Sequence, residues 1–95
     1  MATGESGITY TVTLSKAARE YFIGLPKKQK KIAVAALDDL ETNPHCTNLN
    51  VVYLRGSLSG YLRYRKGDHR VVYTLDNEKR AVHVVWMGNR RDAYK

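Results

Sequence analysis

The second half of the chain alternates apolar and polar residues in short runs. The runs at 61–65, 70–75 and 80–87 are separated by Gly- or Asp-containing turns at 66–68 and 76–79. A period of two is typical of half-buried strands, and turns this short join antiparallel neighbours. Residues 8–14 alternate in the same way and predict a further strand, whereas the apolar run at 51–54 is ambiguous. The second half is therefore predicted to form antiparallel hairpins.

Between residues 15 and 44 the apolar spacing becomes helical. Ser15 is expected to cap a first helix over 16–23, and Gly24 and Pro26 end it. Its apolar stripe comprises Ala18, Tyr21, Phe22 and Leu25. A second helix follows, with a core stripe of Ala33, Ala36, Leu37 and Leu40, and ends at Asn43-Pro44. These elements predict an α+β fold with the two helices on one face of a twisted sheet of about four strands.

The 95 residues are expected to form one domain over 8–95, after a short flexible lead-in at 1–7. No apolar run is long enough to span a membrane. Residues 1–7 have neither the basic start nor the apolar stretch of a secretory signal. The single cysteine, Cys46, fits a reducing compartment. We therefore expect a cytoplasmic protein.

The charge of the chain is strongly uneven. The net charge is +7, and residues 51–95 contribute +6 of it through ten basic and four acidic side chains. Seven of those ten basic residues are arginine. Such a surface favours a polyanionic partner, of which nucleic acid is the first choice and an acidic protein the second. A membrane surface is not expected, and a simple contribution to solubility is the alternative.

Strand alternation places the arginines of the second half together. Tyr61, Arg63 and Arg65 share one face of their strand, where alternate side chains lie about 6.5–7 Å apart. Arg70 is expected beside them on the next strand. An ordinary solvated face would mix charges of both signs, and this one does not. The four lysines at 27, 28, 30 and 31 are interpreted instead as a solvated helix face.

Few other residues offer catalytic chemistry. His45, His69 and His83 have no metal-ligand spacing with one another or with Cys46, so neither a metal nor another cofactor is expected. His69, at the predicted turn, is a candidate contact for a phosphate. The sequence contains no glycine-rich phosphate loop and no serine nucleophile elbow. An enzyme built on this chain would work mainly with Arg and Tyr.

Three motifs, in this order and spacing, carry a family resemblance. They are Leu54–Gly56, Gly60–Tyr73 and Met87–Tyr94. Together they resemble the RelE/ParE superfamily of bacterial and archaeal toxins, and the likeness extends over about residues 8–95. The resemblance implies a β-α-α-β-β-β fold of the microbial ribonuclease type. RelE-like members cleave messenger RNA in the ribosomal A site, whereas ParE-like members poison DNA gyrase.

The resemblance also implies functional residues. The implied catalytic residues are Arg63, Arg65, Arg70, Arg90 and Tyr94, with Arg91 as an alternative to Arg90. The implied substrate-binding residues are Arg55, Tyr61, Lys66, His69 and Arg91. The chain departs from the pattern at Asn89, where histidine is common, and it lacks the Glu–His arrangement of YoeB-like members. The full Arg/Tyr set favours the ribonuclease over a gyrase inhibitor or a non-enzymatic RNA- or ribosome-binding module.

The reaction implied by the resemblance is attack of a ribose 2′-OH on the adjacent phosphate, without a metal. Arg70 would stabilise the scissile phosphate, Arg63 and Arg65 would position the backbone, and Tyr94 would accept the proton. The implied partners are the ribosome, messenger RNA and a cognate acidic antitoxin. The sequence leaves the oligomeric state open.

Overall fold

The computed structural model describes residues 9–45 and 50–89. The described elements are β1 (Thr11–Leu14), α1 (Lys16–Ile23), α2 (Lys27–Thr42), β2 (Val51–Tyr53), a 3-10 turn (Gly56–Leu58), β3 (Leu62–Lys66), β4 (His69–Asp76) and β5 (Ala81–Asn89). The α+β class predicted from the sequence is confirmed. None of the described helices has the length and apolar character needed to cross a membrane.

The strands described in residues 9–45 and 50–89 form a single five-stranded sheet in the order β1-β5-β4-β3-β2. This is one strand more than the sequence predicts, because the ambiguous run beginning at Val51 pairs with β3 as an edge strand. The β2, β3, β4 and β5 neighbours are antiparallel, whereas β1 lies parallel to β5. A parallel pair needs a long crossover, and the two helices between β1 and the later strands supply part of it.

The helices begin where their sequences predict. The Ser15 hydroxyl accepts a hydrogen bond from the Ala18 amide at 3.2 Å, which caps α1. On α2, Ala33, Ala36 and Leu40 have no solvent exposure and pack against the sheet. Small residues at the first two positions allow the helix backbone to approach the strands closely. The core therefore lies between the helices and one face of the sheet.

The β3–β4 hairpin is tighter than the sequence predicts. Lys66 pairs directly with His69, so only Gly67 and Asp68 form the turn. Gly67 has a φ of +59°, as a two-residue turn with glycine at its first central position requires. Lys66 and His69 are consequently strand residues, and alternation places both on the face that packs against the helices.

A β-bulge interrupts the pairing of β4 with β5. Tyr73 pairs with Val84 and Val72 pairs with Trp86, which leaves Val85 as the extra residue. A bulge lets the strand change which residues face each side. As a result Val84 and Met87 are both buried against the helices, while Trp86 faces the other side with Val72.

Candidate functional site

The sheet face opposite the helices, which we call the open face, carries the arginine cluster of Arg63, Arg65 and Arg70. Arg65 pairs directly with Arg70 across β3 and β4, and Arg63 lies on the same face two residue pairs further along. Side chains that are directly opposite have Cβ atoms about 4.5–5.5 Å apart. Three guanidinium groups therefore originate from neighbouring positions on one surface, as strand alternation predicts.

The hairpin turn orients Arg70. Its Nη1 donates to the carbonyl oxygens of Gly67 at 3.4 Å and His69 at 3.3 Å. Both contacts hold the guanidinium at the end of the sheet where the tight turn reverses the chain. A planar guanidinium donates several N–H groups in a fixed fork that matches phosphate oxygens. The cluster is therefore suited to binding an anion with several oxygens.

The other face of β3 ties the strand to α2. Tyr64 donates a hydrogen bond to the Asp39 carboxylate, and Lys66 Nζ lies 3.1 Å from the same carboxylate oxygen. Burial, together with this hydrogen bond, raises the pKa of Tyr64 above its ordinary value. The tyrosine therefore remains protonated and acts as a structural donor. Because Tyr64 lies between Arg63 and Arg65 along the strand, this contact fixes the backbone that carries both.

The prediction that His69 contacts a phosphate is wrong. Its side chain is only 1% exposed, on the helix side of the sheet. Nδ1 lies 2.8 Å from the Tyr21 hydroxyl, and Nε2 lies 2.7 Å from Gln29 Oε1. Burial lowers the pKa of His69, with Asp68 opposing the shift, so the neutral imidazole is favoured. His69 links β4 to both helices.

Lys66 is likewise not part of the open face. The sequence places it at the hairpin turn as a substrate contact, but it extends β3 by one residue and lies on the helix side. Its ammonium is engaged by Asp39 as described above. The tight turn is the physical reason for both corrections, because it draws the flanking residues into the strand ladder.

An apolar pocket of about 250 Å³ lies on the open face. It is lined by Leu58, Tyr61, Val72, Val85 and Trp86. Of these residues, only Tyr61 was predicted to contribute to the site. Strict alternation from the buried Val82 and Val84 assigns Trp86 to the core, and only the bulge moves it to the open face. The signal for the pocket is therefore a break in alternation, which the sequence does not show.

The remaining predicted residues differ in placement. Arg55 is exposed and immediately precedes the 3-10 turn that contributes Leu58 to the pocket. Arg90, Arg91 and Tyr94 lie outside the described residues, as does Cys46. On β5, His83 Nδ1 lies 2.8 Å from Thr13 Oγ1 in an exposed contact with β1. Within residues 9–45 and 50–89, no group of three His, Cys, Asp or Glu side chains is placed to hold a metal ion.

Comparisons with known proteins agree with this architecture. The sequence model of a family described as the ParE toxin of the type II toxin–antitoxin system, parDE, matches residues 12–94. The chain is 28% identical to a protein in the RelBE2 toxin–antitoxin complex of Mycobacterium tuberculosis. That match has a TM-score of 0.73 and covers 87% of this chain and 100% of the other.

Two further solved structures are similar at comparable identity. The archaeal RelE–RelB complex from Pyrococcus horikoshii matches with 27% identity and a TM-score of 0.72, over 90% of this chain and 99% of the other. The YoeB–YefM complex from Staphylococcus aureus matches with 26% identity and a TM-score of 0.65, over 82% and 93%. No curated protein sequence matches the chain significantly. Each of the three structural matches covers more than four fifths of this chain.

Proposed function

The chain belongs to the ParE toxin family of type II toxin–antitoxin systems, and we propose that this toxin is a ribosome-dependent endoribonuclease that cleaves messenger RNA in the A site. The observation that carries the proposal is the arginine cluster, in which Arg65 lies directly opposite Arg70 and Arg63 adjoins them on one face. Guanidinium groups grouped on one face match the several oxygens of a phosphate, which supports an anionic ligand. The matches to RelE- and YoeB-containing complexes at 26–28% identity support a place among the RNA-cleaving members of the superfamily.

The proposed reaction is attack of a ribose 2′-OH on the adjacent phosphate. The O2′–P bond forms as the 2′-OH loses its proton, and the P–O5′ bond breaks as the departing 5′ oxygen takes up a proton from water, which leaves a 2′,3′-cyclic phosphate and a 5′-OH. Arg70 stabilises the charge that develops on the phosphoryl oxygens, and Arg63 and Arg65 hold the RNA backbone in line. Binding to the ribosome supplies the remaining alignment of the RNA.

Proton transfer is assigned to the C-terminal segment. Tyr94 takes the proton from the 2′-OH, and Arg90, or Arg91 in its place, orients the ring or binds a second phosphate. An unperturbed tyrosine has a pKa of about 10. Neighbouring guanidinium groups would lower this pKa and so raise the fraction of tyrosine present as phenolate. A weak base of this kind suits an enzyme that acts only on RNA already positioned by the ribosome.

An acidic antitoxin is the proposed partner of the free toxin. The Mycobacterium tuberculosis match is itself part of a toxin–antitoxin complex. The net charge of +7 on this chain favours a partner of opposite charge. An antitoxin that covers the open face would block the arginine cluster directly. Since its proposed partners include the ribosome, we expect the protein to act in the cytoplasm.

DNA gyrase inhibition is the second candidate. The observation that favours it is the family description itself, which names the ParE toxin of parDE. In that case the basic open face is a protein-binding surface and carries out no chemistry. The two candidates differ in what they leave in the cell, because one cuts messages and the other breaks DNA.

Mapping of RNA 5′ ends after induction of the full chain tests the proposal. We expect new ends within translated codons. Arg70→Ala should reduce cleavage by roughly 100- to 1,000-fold, the usual cost of losing one electrostatic contact to a transition state. Lys28→Ala is the matched control, because it removes an equally positive, exposed side chain on α2 and should leave the cuts unchanged.

The outcomes separate the candidates. Intact messages accompanied by broken DNA and a damage response would establish the gyrase inhibitor. Neither cuts nor toxicity would indicate a non-enzymatic binding module. Unchanged cleavage in Tyr94→Phe would remove the tyrosine from the mechanism and leave the arginines in place.

A further inference from the structure

The aromatic pocket adjoins the arginine cluster on the open face. Val72 lies in the pocket wall and pairs with Arg63 on one side and with Trp86 on the other. The next row on the same face consists of Arg65, Arg70 and Gly88. Successive rows on one face lie about 6.5–7 Å apart. The wall of the apolar pocket and the arginine cluster therefore meet at the pair formed by Val72 and Arg63.

Gly88 allows the indole ring to lean toward the arginines. A Cβ built on Gly88 would lie 2.3 Å from Trp86 Cη2 and 2.4 Å from Cζ2, so the ring occupies the space directly above this glycine. Since Gly88 pairs with Arg70, the far edge of the indole reaches the row that contains the arginine pair. The tryptophan thus forms the boundary between the pocket and the cluster.

We propose that this pocket binds one nucleobase of the RNA strand whose phosphates the arginine cluster holds. The inference rests on the proposed function and adds to it a subsite for the base. Bases stack on aromatic side chains irrespective of their identity, because every base has a π face. Trp86 and Tyr61 provide the stacking surfaces, and Leu58, Val72 and Val85 exclude water from the edge of the base.

The size and order of the features favour a base over a protein side chain. The pocket volume of about 250 Å³ is below the roughly 300–1,000 Å³ of sites for drug-sized ligands, so it suits a single ring system. A nucleic acid strand alternates an anionic phosphate with a flat apolar base. The open face offers both features side by side, with Arg65 and Arg70 in one row and the pocket residues Val72 and Trp86 in the next row beside Arg63. A single RNA strand can therefore occupy both the arginine cluster and the pocket.

The single tryptophan of the chain supplies the assay. The purified full chain would be titrated with a short 2′-O-methyl RNA, which has no free 2′-OH and cannot be cleaved. Base stacking should quench Trp86 fluorescence in a saturable manner. An abasic strand of the same length and charge should bind more weakly and leave the fluorescence almost unchanged.

Variants report on affinity through the anisotropy of a labelled strand. Trp86→Ala should weaken binding by roughly 5- to 100-fold, the usual effect of losing one stacked base, and Trp86→Phe should restore most of it. Tyr53→Ala is the matched control, because this aromatic residue is 63% exposed and lies on the other side of the sheet. Circular dichroism of each variant establishes that it folds.

The proposal that the pocket binds a base would be overturned if the RNA strand left the fluorescence unchanged. It would also be overturned if the abasic strand quenched the fluorescence equally, or if the Trp86→Ala variant bound as tightly as Tyr53→Ala. If an acidic antitoxin peptide quenches Trp86 and the RNA does not, the occupant is a protein side chain and the inference fails. Because the assay involves no cleavage, base binding in the pocket is tested separately from the proposed ribonuclease activity. The base can fail to bind in a protein that still cuts messages, and it can bind in a protein that cuts none.

Discussion

Gly88→Ala provides a direct test of how the open face is packed. Gly88 is buried in β5, and its backbone lies outside the left-handed region, so alanine is compatible with its conformation. The obstacle is the ring of Trp86, which occupies the position that the new methyl group would take. The side chain of Trp86 must therefore move away from its packed position for the variant to fold.

The expected cost follows from this overlap. Overpacking of a well-packed site costs about 1–3 kcal/mol. For a domain of 60–100 residues, each kcal/mol shifts Tm by about 4–8 °C, so the melting temperature should fall by roughly 5–20 °C. In a Trp86→Ala background the obstacle is gone. There Gly88→Ala should be neutral or stabilise the fold by up to about 1 kcal/mol, since alanine restricts the unfolded chain more than glycine does.

A double-mutant cycle measures this coupling. The free energies of unfolding would be obtained from urea denaturation followed by circular dichroism, because the tryptophan is absent from two of the four proteins. The coupling between the two positions should be about 1–3 kcal/mol. Gly24→Ala is the control, because its Cβ would meet only backbone oxygens at 3.5 Å or more, and it should be close to neutral.

Equal destabilisation by Gly88→Ala in both backgrounds would contradict this packing, because the obstacle would then be something other than the indole. A negligible cost in the wild-type background would also refute it. In that case the ring would not be held over the glycine, and the boundary between the pocket and the arginine cluster would not be fixed.

Three further predictions concern β3, the buried histidine and the arginine cluster. Tyr64→Phe should cost about 1–3 kcal/mol in urea denaturation, since it removes a hydrogen bond to the charged Asp39. Lys66→Met should cost less than about 1 kcal/mol, because that ion pair is partly exposed. Because burial lowers the pKa of His69, the unfolded state takes up a proton first, so this contribution to stability is complete above about pH 6.5 and declines below it. His69→Gln should lack that decline when Tm is followed against pH. Arg70→Ala should lower the slope of log affinity against log salt by about 0.7 for a single-stranded RNA, and Lys28→Ala should leave it unchanged.

The features that the sequence predicts well depend on local patterns. Ser15 precedes an apolar helical stripe, and its hydroxyl caps α1 as expected. Strand alternation correctly groups Arg63, Arg65 and Arg70, because β3 is regular along its whole length and the tight turn brings Arg70 opposite Arg65. Both inferences need only the preferences of a few consecutive residues.

The features that the sequence misses depend on non-local pairing. Val51–Tyr53 is too short to show a period, and it is recognisable as a strand only from its pairing with β3. One extra residue at Val85 places Trp86 on the open face, whereas unbroken alternation from Val84 would place it in the core, since a single-residue shift reverses the direction of every following side chain. The bulge alone shifts the register by one residue, and it changes which residues line the pocket.

The two faces of β3 make opposite contributions to the fold. On the open face, Arg65 and Arg70 lie directly opposite each other, an arrangement that costs roughly 0.2–1 kcal/mol through like-charge repulsion. On the helix face, the Asp39 carboxylate accepts from Tyr64 and pairs with Lys66. A hydrogen bond to a charged group contributes about 1.5–3 kcal/mol, enough to offset the repulsion. The strand can therefore keep the positions that carry these arginines side by side before any anion binds. Such preorganisation is what an electrostatic site needs, because charges already in position require no reorganisation when negative charge develops on the substrate.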